Sequence, residues 1–164
     1  MNFSIRPIRE EDIDFLWEML YQSLYVPEGQ KPFERSILQD PYISKYMEGW
    51  GRAGDFGFIA ENEKGQRIGS ITARCFDEEN KGFGYIANDV PELGMALLAE
   101  YRGNRIGTAL MNELIQEAKK MSIKKVSLSV DPGNEAAMKL YERFGFKVVG
   151  KVDTSFTMVV DVES

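Results

Sequence analysis

The sequence contains no histidine and a single cysteine, Cys75. Without histidine, Ser-His and Cys-His nucleophilic machinery is excluded, and so are histidine metal sites. With one cysteine, neither an internal disulfide nor a thiolate zinc site can form. Cys75 falls in a predicted strand, where we expect a small buried hydrophobe rather than a nucleophile. Any chemistry must therefore use carboxylates, tyrosine, lysine, backbone amides or a cofactor, and we expect no metal.

Long apolar runs are also missing. The N-terminal segment MNFSIRPIREED is polar and acidic where a signal peptide would be basic and then apolar. We therefore expect a cytoplasmic protein without a membrane partner. The net charge of -6 argues against a nucleic-acid partner, because affinity for phosphate backbones depends on a basic surface. The same charge is compatible with a cationic acceptor such as an amine.

The chain has no linker, repeat or low-complexity segment. Its 164 residues are 43% apolar and 28% charged, which is typical of a globular protein. A chain of this length can bury a sizeable core without disulfides. We expect a single domain over residues 1–164.

The first half of the chain predicts a strand, two helices and a strand meander. Phe3 to Ile8 alternates as a strand, and an acidic run then precedes apolar residues at helical spacing. A second helical stretch is expected from about Glu34 to Trp50, broken by Pro41. The segments GFIAEN and RIGSITARCF, separated by Lys64 and Gly65, predict a hairpin, and a third strand is expected near GFGYIAND.

The second half alternates strands and helices. The expected order is a strand over Glu92 to Ala99, a helix from about Asn104 to Met121, a strand over Lys125 to Val130, a helix over Asn134 to Phe144, and two strands between Lys147 and Val160. The first two of these strands should pair in parallel across the helix. Together the two halves predict an α+β fold with a mixed sheet.

The turn YRGNRIG, from Tyr101 to Gly107, stands between a strand and an amphipathic helix. The expected apolar stripe of this helix is Ile106, Leu110, Leu114, Ala118 and Met121. The first four N–H groups of a helix lack partners inside it, and its dipole favours an anion at this end. Gly103 and Gly107 allow phosphate oxygens to approach the backbone, and Arg102 and Arg105 supply cationic donors. The turn therefore predicts a phosphate site, although an ordinary strand-helix connection with surface arginines would explain the same letters. Neither the Walker loop nor the GxGxxG pattern is present.

The turn resembles the motif [QR]xxGx[GA] of the GNAT superfamily of N-acetyltransferases. In that family its amides hold the pyrophosphate of acetyl-CoA. Arg102 takes the first position and Gly107 the last, while Arg105 stands where an inner glycine is usual. We expect Arg105 to have ordinary helical φ and ψ angles and to turn its side chain outward.

A second segment carries the other half of the family signature. Ser127 to Gly150 reads SLSVDPGNEAAMKLYERFGFKVVG, which is similar to a strand, an asparagine, a helix with LYExxGF and the final strands. The two segments span Glu92 to Gly150. The resemblance implies the GNAT acyl-CoA N-acyltransferase fold, with a mixed, mostly antiparallel central sheet and about four flanking helices.

The resemblance also implies catalytic roles. Tyr141 in LYExxGF corresponds to a tyrosine that stands near the thioester sulfur as a general acid, and a core position would also explain it. Glu92, ten residues before Arg102, corresponds to a glutamate that serves as a base in histone-acetylating members. A solvated glutamate at the start of a strand is the alternative for that position.

The remaining implied contacts belong to acetyl-CoA as co-substrate. The backbone of the strand at Leu97, Leu98 and Ala99 would pair with pantetheine, and one amide there would polarise the thioester carbonyl. Asn134 would contact the same arm, although capping its helix would also explain it. The expected cofactor-binding residues are Leu97, Leu98, Ala99, Arg102, Gly103, Asn104, Arg105, Ile106, Gly107, Thr108, Asn134, Ala137 and Tyr141.

The acceptor is not identified by the sequence. We expect N-acetylation of a primary amine on a small molecule or a protein N-terminus, by direct attack in a ternary complex, with a homodimer as a possible assembly. Eight aromatic residues between Tyr21 and Phe58 could line the acceptor site or simply belong to the core: Tyr21, Tyr25, Phe33, Tyr42, Tyr46, Trp50, Phe56 and Phe58. The alternative function is a non-catalytic acyl-CoA-binding or sensing domain.

Overall fold

The computed structural model describes residues 2–162 and contains one seven-stranded sheet in the order β1-β2-β3-β4-β5-β7-β6. The strands are β1 Phe3–Pro7, β2 Phe56–Asn62, β3 Arg67–Arg74, β4 Glu92–Leu97, β5 Lys125–Val130, β6 Lys147–Val152 and β7 Ser155–Asp161. Neighbouring strands are antiparallel except β4 and β5, which are parallel. The predicted mixed sheet and the parallel pair are confirmed.

Within the described residues, four α-helices accompany the sheet: α1 Ile13–Ser23, α2 Pro41–Ser44, α3 Ile106–Lys120 and α4 Glu135–Arg143. Short 3-10 turns lie at Glu10–Asp12, Arg35–Gln39 and Ala99–Tyr101. In α3, four fully buried residues repeat at helical spacing, and two lysines at its last turn suit the helix dipole. The buried residues are Ile106, Leu110, Leu114 and Ala118. None of the helices in residues 2–162 is long and apolar enough to cross a membrane.

The two faces of the sheet differ in polarity. On one face, α3 and α4 cover the main apolar core, which includes Phe58, Ile71 and Leu128. On the other face, α1 packs over a smaller apolar cluster with Leu16 and Ile59. That face also carries buried polar residues from four neighbouring strands: Ser70, Thr72, Arg74, Glu92, Ser127 and Thr157. Cross-strand partners share a face, and the pairing register places these six together.

Three expectations about local structure are wrong. The long helical stretch after Glu34 is reduced to a 3-10 turn and the four residues of α2, which Pro41 begins rather than breaks. Asp40 caps α2 by accepting a hydrogen bond from the Tyr42 amide. Met121 lies beyond the end of α3 and is 40% exposed, so it does not extend the buried stripe.

The third wrong expectation is the strand near GFGYIAND, because residues 82–89 form turns. β3 pairs directly with β4 along its length, so no place is left for a strand between them. The loop instead lies at close range against the backbone of β5. A Cβ on Gly84 would lie 2.6 Å from the Leu128 carbonyl carbon, so glycine permits this approach.

Candidate active site

The turn before α3 presents a row of free backbone donors. Within residues 2–162, none of the six N–H groups from Gly103 to Thr108 donates a hydrogen bond, and the first helical bond is Ala109 N–H to the Arg105 carbonyl. No side chain in the described part of the sequence caps this helix. Six adjacent donors at the positive end of a 15-residue helix can hold an anionic group with several oxygens.

Arg105 departs from its expected conformation. Its φ of 64° and ψ of 13° are left-handed, whereas ordinary helical angles were expected. A side chain in this region is strained by about 1 kcal/mol relative to glycine. The turn needs a residue of this conformation at the point where glycine is usual, and Arg105 adopts it with an exposed side chain. Gly103 also has a positive φ, 82°.

Side chains around the turn anchor it and add positive charge. Arg102 and Arg105 are exposed, and neither forms an ion pair with another described residue. The Asn62 side chain donates to the Tyr101 hydroxyl at 3.1 Å, and Asn104 donates to the Tyr101 carbonyl at 3.3 Å. The two guanidinium groups are therefore available to an anion held by the backbone.

Gly107 brings the turn against two other parts of the site. A Cβ at Gly107 would lie 3.4 Å from the side chains of Leu140 in α4 and Met95 in β4. The start of α3, the helix that carries Tyr141 and the strand that begins at Glu92 therefore meet here. The residues taken from the two sequence motifs belong to one region of the fold.

β4 and β5 pair only at Glu92 and Ser127 within the described residues. The Ser127 N–H donates to the Pro91 carbonyl at 3.0 Å, which shows that odd-numbered residues of β4 direct their backbone groups toward β5. Beyond this pair the strands separate. The backbone groups of Met95 and Leu97 therefore face a gap that an extended ligand could enter as an additional strand.

The expected contacts of the β4 backbone are partly corrected by this geometry. The Leu98 N–H donates to the Ile68 carbonyl at 2.9 Å, so it is engaged with β3 and not available to a ligand. Leu97 faces the gap, and the Ala99 N–H has no acceptor among residues 2–162. The backbone of Met95 also faces the gap, and the sequence did not predict Met95 as a cofactor contact.

Asn134 and Tyr141 lie on α4. The Asn134 side chain accepts a hydrogen bond from the Ala137 amide at 3.3 Å, so its capping role is confirmed. Tyr141 is 7% exposed and packs edge-on against Phe146, with ring centroids 5.8 Å apart. Burial alone raises the pKa of Tyr141 to about 12. The phenol therefore stays protonated at neutral pH and can act only as a proton donor there.

Glu92 is buried rather than solvated, with 4% of its surface exposed. Its Oε2 accepts a hydrogen bond from the Tyr46 hydroxyl at 2.7 Å, while Oε1 has no partner among residues 2–162. Burial raises the pKa of Glu92 to about 7, and the hydrogen bond from Tyr46, the nearby Gly84 amide and the charge of Lys45 oppose this rise. A carboxyl group with this pKa can take up a proton near neutral pH.

The loop over residues 75–91 covers Glu92. A Cβ on Gly82 would lie 2.2 Å from Glu92 Oε1, so the loop backbone rests against the carboxyl group. The Phe83 N–H donates to the Tyr46 hydroxyl at 2.7 Å, and the Phe83 carbonyl accepts from Thr157 at 3.2 Å. Sequence reasoning placed Tyr46 only among eight aromatic residues. No local pattern indicates its contact with a residue 46 positions away.

The other aromatic residues divide between core and surface. Phe58 belongs to the main core, whereas Phe33 and Tyr42 are 44% and 67% exposed. The Tyr25 hydroxyl donates to the Gly133 carbonyl at 3.0 Å, which brings the segment after α1 to the start of α4. Cys75 is partly buried directly after β3, and burial raises the pKa of its thiol, which does not favour a nucleophile.

Comparison with known proteins identifies the same family. The model of the acetyltransferase (GNAT) family matches residues 13–146. A Bacillus subtilis protein, provisionally assigned as a [ribosomal protein bS18]-alanine N-acetyltransferase, is 25% identical over 147 residues, which cover 90% of this chain and 82% of that protein. N-alpha-acetyltransferase 30 of Schizosaccharomyces pombe is 33% identical over 115 residues, covering 66% and 69%.

Solved structures agree on the fold. The phosphinothricin acetyltransferase of Sinorhizobium meliloti, a GNAT superfamily member solved with acetyl-CoA, superposes with a TM-score of 0.69 at 18% identity. The alignment covers 99% of this chain and 89% of that structure.

Proposed function

The chain belongs to the GNAT family of acetyl-CoA-dependent N-acetyltransferases, and from this we propose that it transfers the acetyl group to a primary amine by direct attack in a ternary complex. Bound acetyl-CoA supplies the acetyl thioester. The chain supplies the backbone donors, a buried acid and a buried base. The observation that carries the proposal is the row of six free N–H groups beside the gap between β4 and β5.

These residues fit acetyl-CoA by chemistry as well as by position. A diphosphate has several anionic oxygens, and the donors from Gly103 to Thr108 lie at a helix N-terminus with Arg102 and Arg105 beside them. The pantetheine arm is an extended chain with amide groups. Met95 and Leu97 offer it backbone donors and acceptors on the open edge of β4. Four further residues of the turn, α3 and α4 stay proposed cofactor contacts: Asn104, Ile106, Asn134 and Ala137.

Tyr141 is the proposed general acid. Its phenol keeps its proton at neutral pH, lies among apolar side chains, and is carried by the helix that contacts Gly107. Donating this proton to a thiolate of pKa about 8.5 is uphill, so the orientation of the donor must compensate. The packing of the ring against Phe146 restrains the ring and therefore the position of the phenol oxygen.

Glu92 is the proposed general base. An amine that arrives as an ammonium ion must lose a proton before it can attack, and a carboxylate takes this proton directly or through water. Glu92 has the raised pKa and the unpartnered oxygen that such a role uses. Because Glu92 is covered by the 75–91 loop, access to it requires that the loop moves or that water carries the proton.

The proposed acceptor is either a small-molecule amine or the N-terminal amine of a protein. The name of the Bacillus subtilis relative supports a protein N-terminal alanine, and the phosphinothricin acetyltransferase supports a small molecule. A cytoplasmic location and a homodimer stay predictions.

Isothermal titration and a thiol-release assay test the proposal together. We expect acetyl-CoA to bind, and we expect at least one member of a panel of polyamines, amino acids and alanine-terminated peptides to release free thiol from it. Binding without thiol release by any amine would support the non-catalytic acyl-CoA-binding domain instead. Absence of binding at millimolar acetyl-CoA would refute both functions.

A further inference from the structure

One hydroxyl group joins three separate segments beside the proposed base. Tyr46 Oη donates to Glu92 Oε2 at 2.7 Å and accepts from the Phe83 N–H at 2.7 Å. The Tyr46 ring packs edge-on against Phe76, with centroids 5.1 Å apart. The segment after α2, the 75–91 loop and the first residue of β4 therefore meet at this hydroxyl.

The position of Tyr46 is fixed from the sheet. Arg74, the cross-strand partner of Glu92, donates to the carbonyls of Lys45 and Glu48 at 2.9 and 2.7 Å. The same guanidinium pairs with Asp55 at 2.8 Å and is almost completely buried. The residues on either side of Tyr46 are thus held by a side chain from the strand next to β4.

The hydrogen bond from Tyr46 leaves one oxygen of Glu92 without a partner. Oε1 is buried, has no hydrogen bond within residues 2–162, and faces the backbone of Gly82. A buried polar atom without a partner is unfavourable, so its retention points to something that binds it during function. Oε1 is the oxygen that remains free to receive a proton.

We propose that Tyr46 is a positioning residue for acetyl transfer, which holds Oε2 of Glu92 so that Oε1 accepts the proton released by the acceptor amine. The inference rests on the proposed function, since Tyr46 acts through Glu92, the proposed general base of that function. In this step an N–H bond of the ammonium breaks, its electron pair stays on nitrogen, and the proton forms an O–H bond at Oε1. The nitrogen then forms a C–N bond to the acetyl carbon as the C–S bond of the thioester breaks, and the thiolate that leaves would take the proton of Tyr141.

Tyr46 also sets the pH at which Glu92 works. Against the burial that raises the Glu92 pKa to about 7, three groups lower it: the Tyr46 hydroxyl, the nearby Gly84 amide and the charge of Lys45. By distance and angle, no hydrogen bond joins the Gly84 amide to Oε1 within residues 2–162. Arg74 faces Glu92 from β3 but is neutralised by Asp55. Removing the Tyr46 hydroxyl therefore raises the pKa of Glu92 further.

The experiment compares Tyr46→Phe with Thr157→Val. Thr157 donates to the Phe83 carbonyl, so its substitution removes a hydrogen bond to the same loop residue without touching Glu92. The Glu92 carboxyl is titrated by carbon-13 NMR with acetyl-CoA present. Thiol release with the most reactive amine of the panel is measured against pH.

We expect the Glu92 midpoint to rise by about one pH unit in Tyr46→Phe, with the acid limb of kcat moving by the same amount. The KM for acetyl-CoA should stay unchanged, and Thr157→Val should move neither midpoint nor limb. Equal effects of the two variants would assign Tyr46 to loop anchoring and overturn the proposal. An unmoved midpoint in Tyr46→Phe would also overturn it.

A measurement on the unsubstituted protein covers the case in which Tyr46→Phe does not fold. The Cζ resonance of Tyr46 should shift with the same midpoint as Glu92 when the carboxyl ionises, and a flat Cζ resonance would overturn the proposal. Failure of the proposed function is seen separately, as absence of thiol release by the unsubstituted protein.

Discussion

Glu92 and Ser127 lie opposite each other where β4 and β5 meet, and beyond this pair the two strands separate. Glu92 Oε1 and Ser127 Oγ are both buried without a hydrogen-bond partner in the described chain. Two unpartnered polar atoms therefore lie where β4 and β5 meet, and the chain after the other end of β4 leads to the free amides before α3. The acetyl transfer that we propose needs a polar group beside the reacting amine and hydrogen-bond donors beside the diphosphate of acetyl-CoA.

Substitution of Tyr141 by phenylalanine should separate turnover from binding. The Tyr141 hydroxyl forms no hydrogen bond within residues 2–162, and burial is the cause of its raised pKa, so its loss breaks no hydrogen bond there. We expect kcat to fall about 100-fold, because a positioned general acid contributes this order of acceleration. Titration calorimetry should give an unchanged acetyl-CoA affinity. Tyr85→Phe, which removes a hydroxyl that donates to Asn88, is the control and should keep its turnover. Full turnover by Tyr141→Phe would remove this residue from the mechanism.

Arg105→Gly should stabilise the protein relative to Arg105→Ala. Both variants lose the charge, but only glycine is free of strain at a φ of 64°. Urea denaturation should give a free energy of unfolding about 1 kcal/mol higher for the glycine variant. Equal stabilities would mean that residue 105 does not have the left-handed conformation in solution.

Ionisation of Glu92 should make the protein less stable as the pH rises. Its pKa is about 7 in the folded chain and 4.5 ordinarily, so the folded state binds more protons in this range. Its stabilising contribution is complete below about pH 4.5 and is lost as the pH rises through 7. The loss is about 3 kcal/mol, from 1.36 kcal/mol for each pKa unit.

The check is the difference in unfolding free energy between the unsubstituted protein and Glu92→Gln across pH 4.5 to 8. Because the glutamine side chain does not titrate, this difference isolates Glu92 from the other carboxyl groups. The unsubstituted protein should lose stability relative to the variant over the interval. A constant difference would show that Glu92 ionises with its ordinary pKa.

Loss of Asp55 should be far more costly than loss of Asp161. Asp55→Ala leaves the buried guanidinium of Arg74 unpaired, which costs about 3 to 5 kcal/mol. Asp161→Ala breaks an exposed pair with Lys125, which contributes little to stability because water and salt screen it. Denaturant unfolding of the two variants gives the comparison. Similar losses would indicate that Arg74 finds other partners or water.

Much of the fold follows from local patterns. The hairpin of β2 and β3 was predictable because alternating apolar residues flank Lys64 and Gly65, and α3 was predictable from its repeating stripe. The strand expected near GFGYIAND was wrong because Gly82 and Gly84 are present for close approach to Glu92 and Leu128. A sequence pattern typical of a strand does not show which part of the folded backbone the segment will contact.

The candidate site was predictable where its motif is contiguous. The turn from Arg102 to Gly107 was predictable as an anion site because its glycines and its amides before a helix are adjacent in the sequence. The hydrogen bond between Tyr46 and Glu92 joins residues far apart in sequence, so only the folded chain reveals it. The left-handed Arg105 was missed because most residues other than glycine avoid that conformation.

The central claim is that backbone donors at the start of α3 hold the diphosphate of acetyl-CoA. A nitrogen-15 correlation spectrum recorded during titration with coenzyme A tests it directly. The account predicts the largest amide shifts at Gly103 to Thr108, with smaller shifts at Met95 and Leu97. Unchanged amide positions across Gly103 to Thr108 at saturating coenzyme A would contradict it.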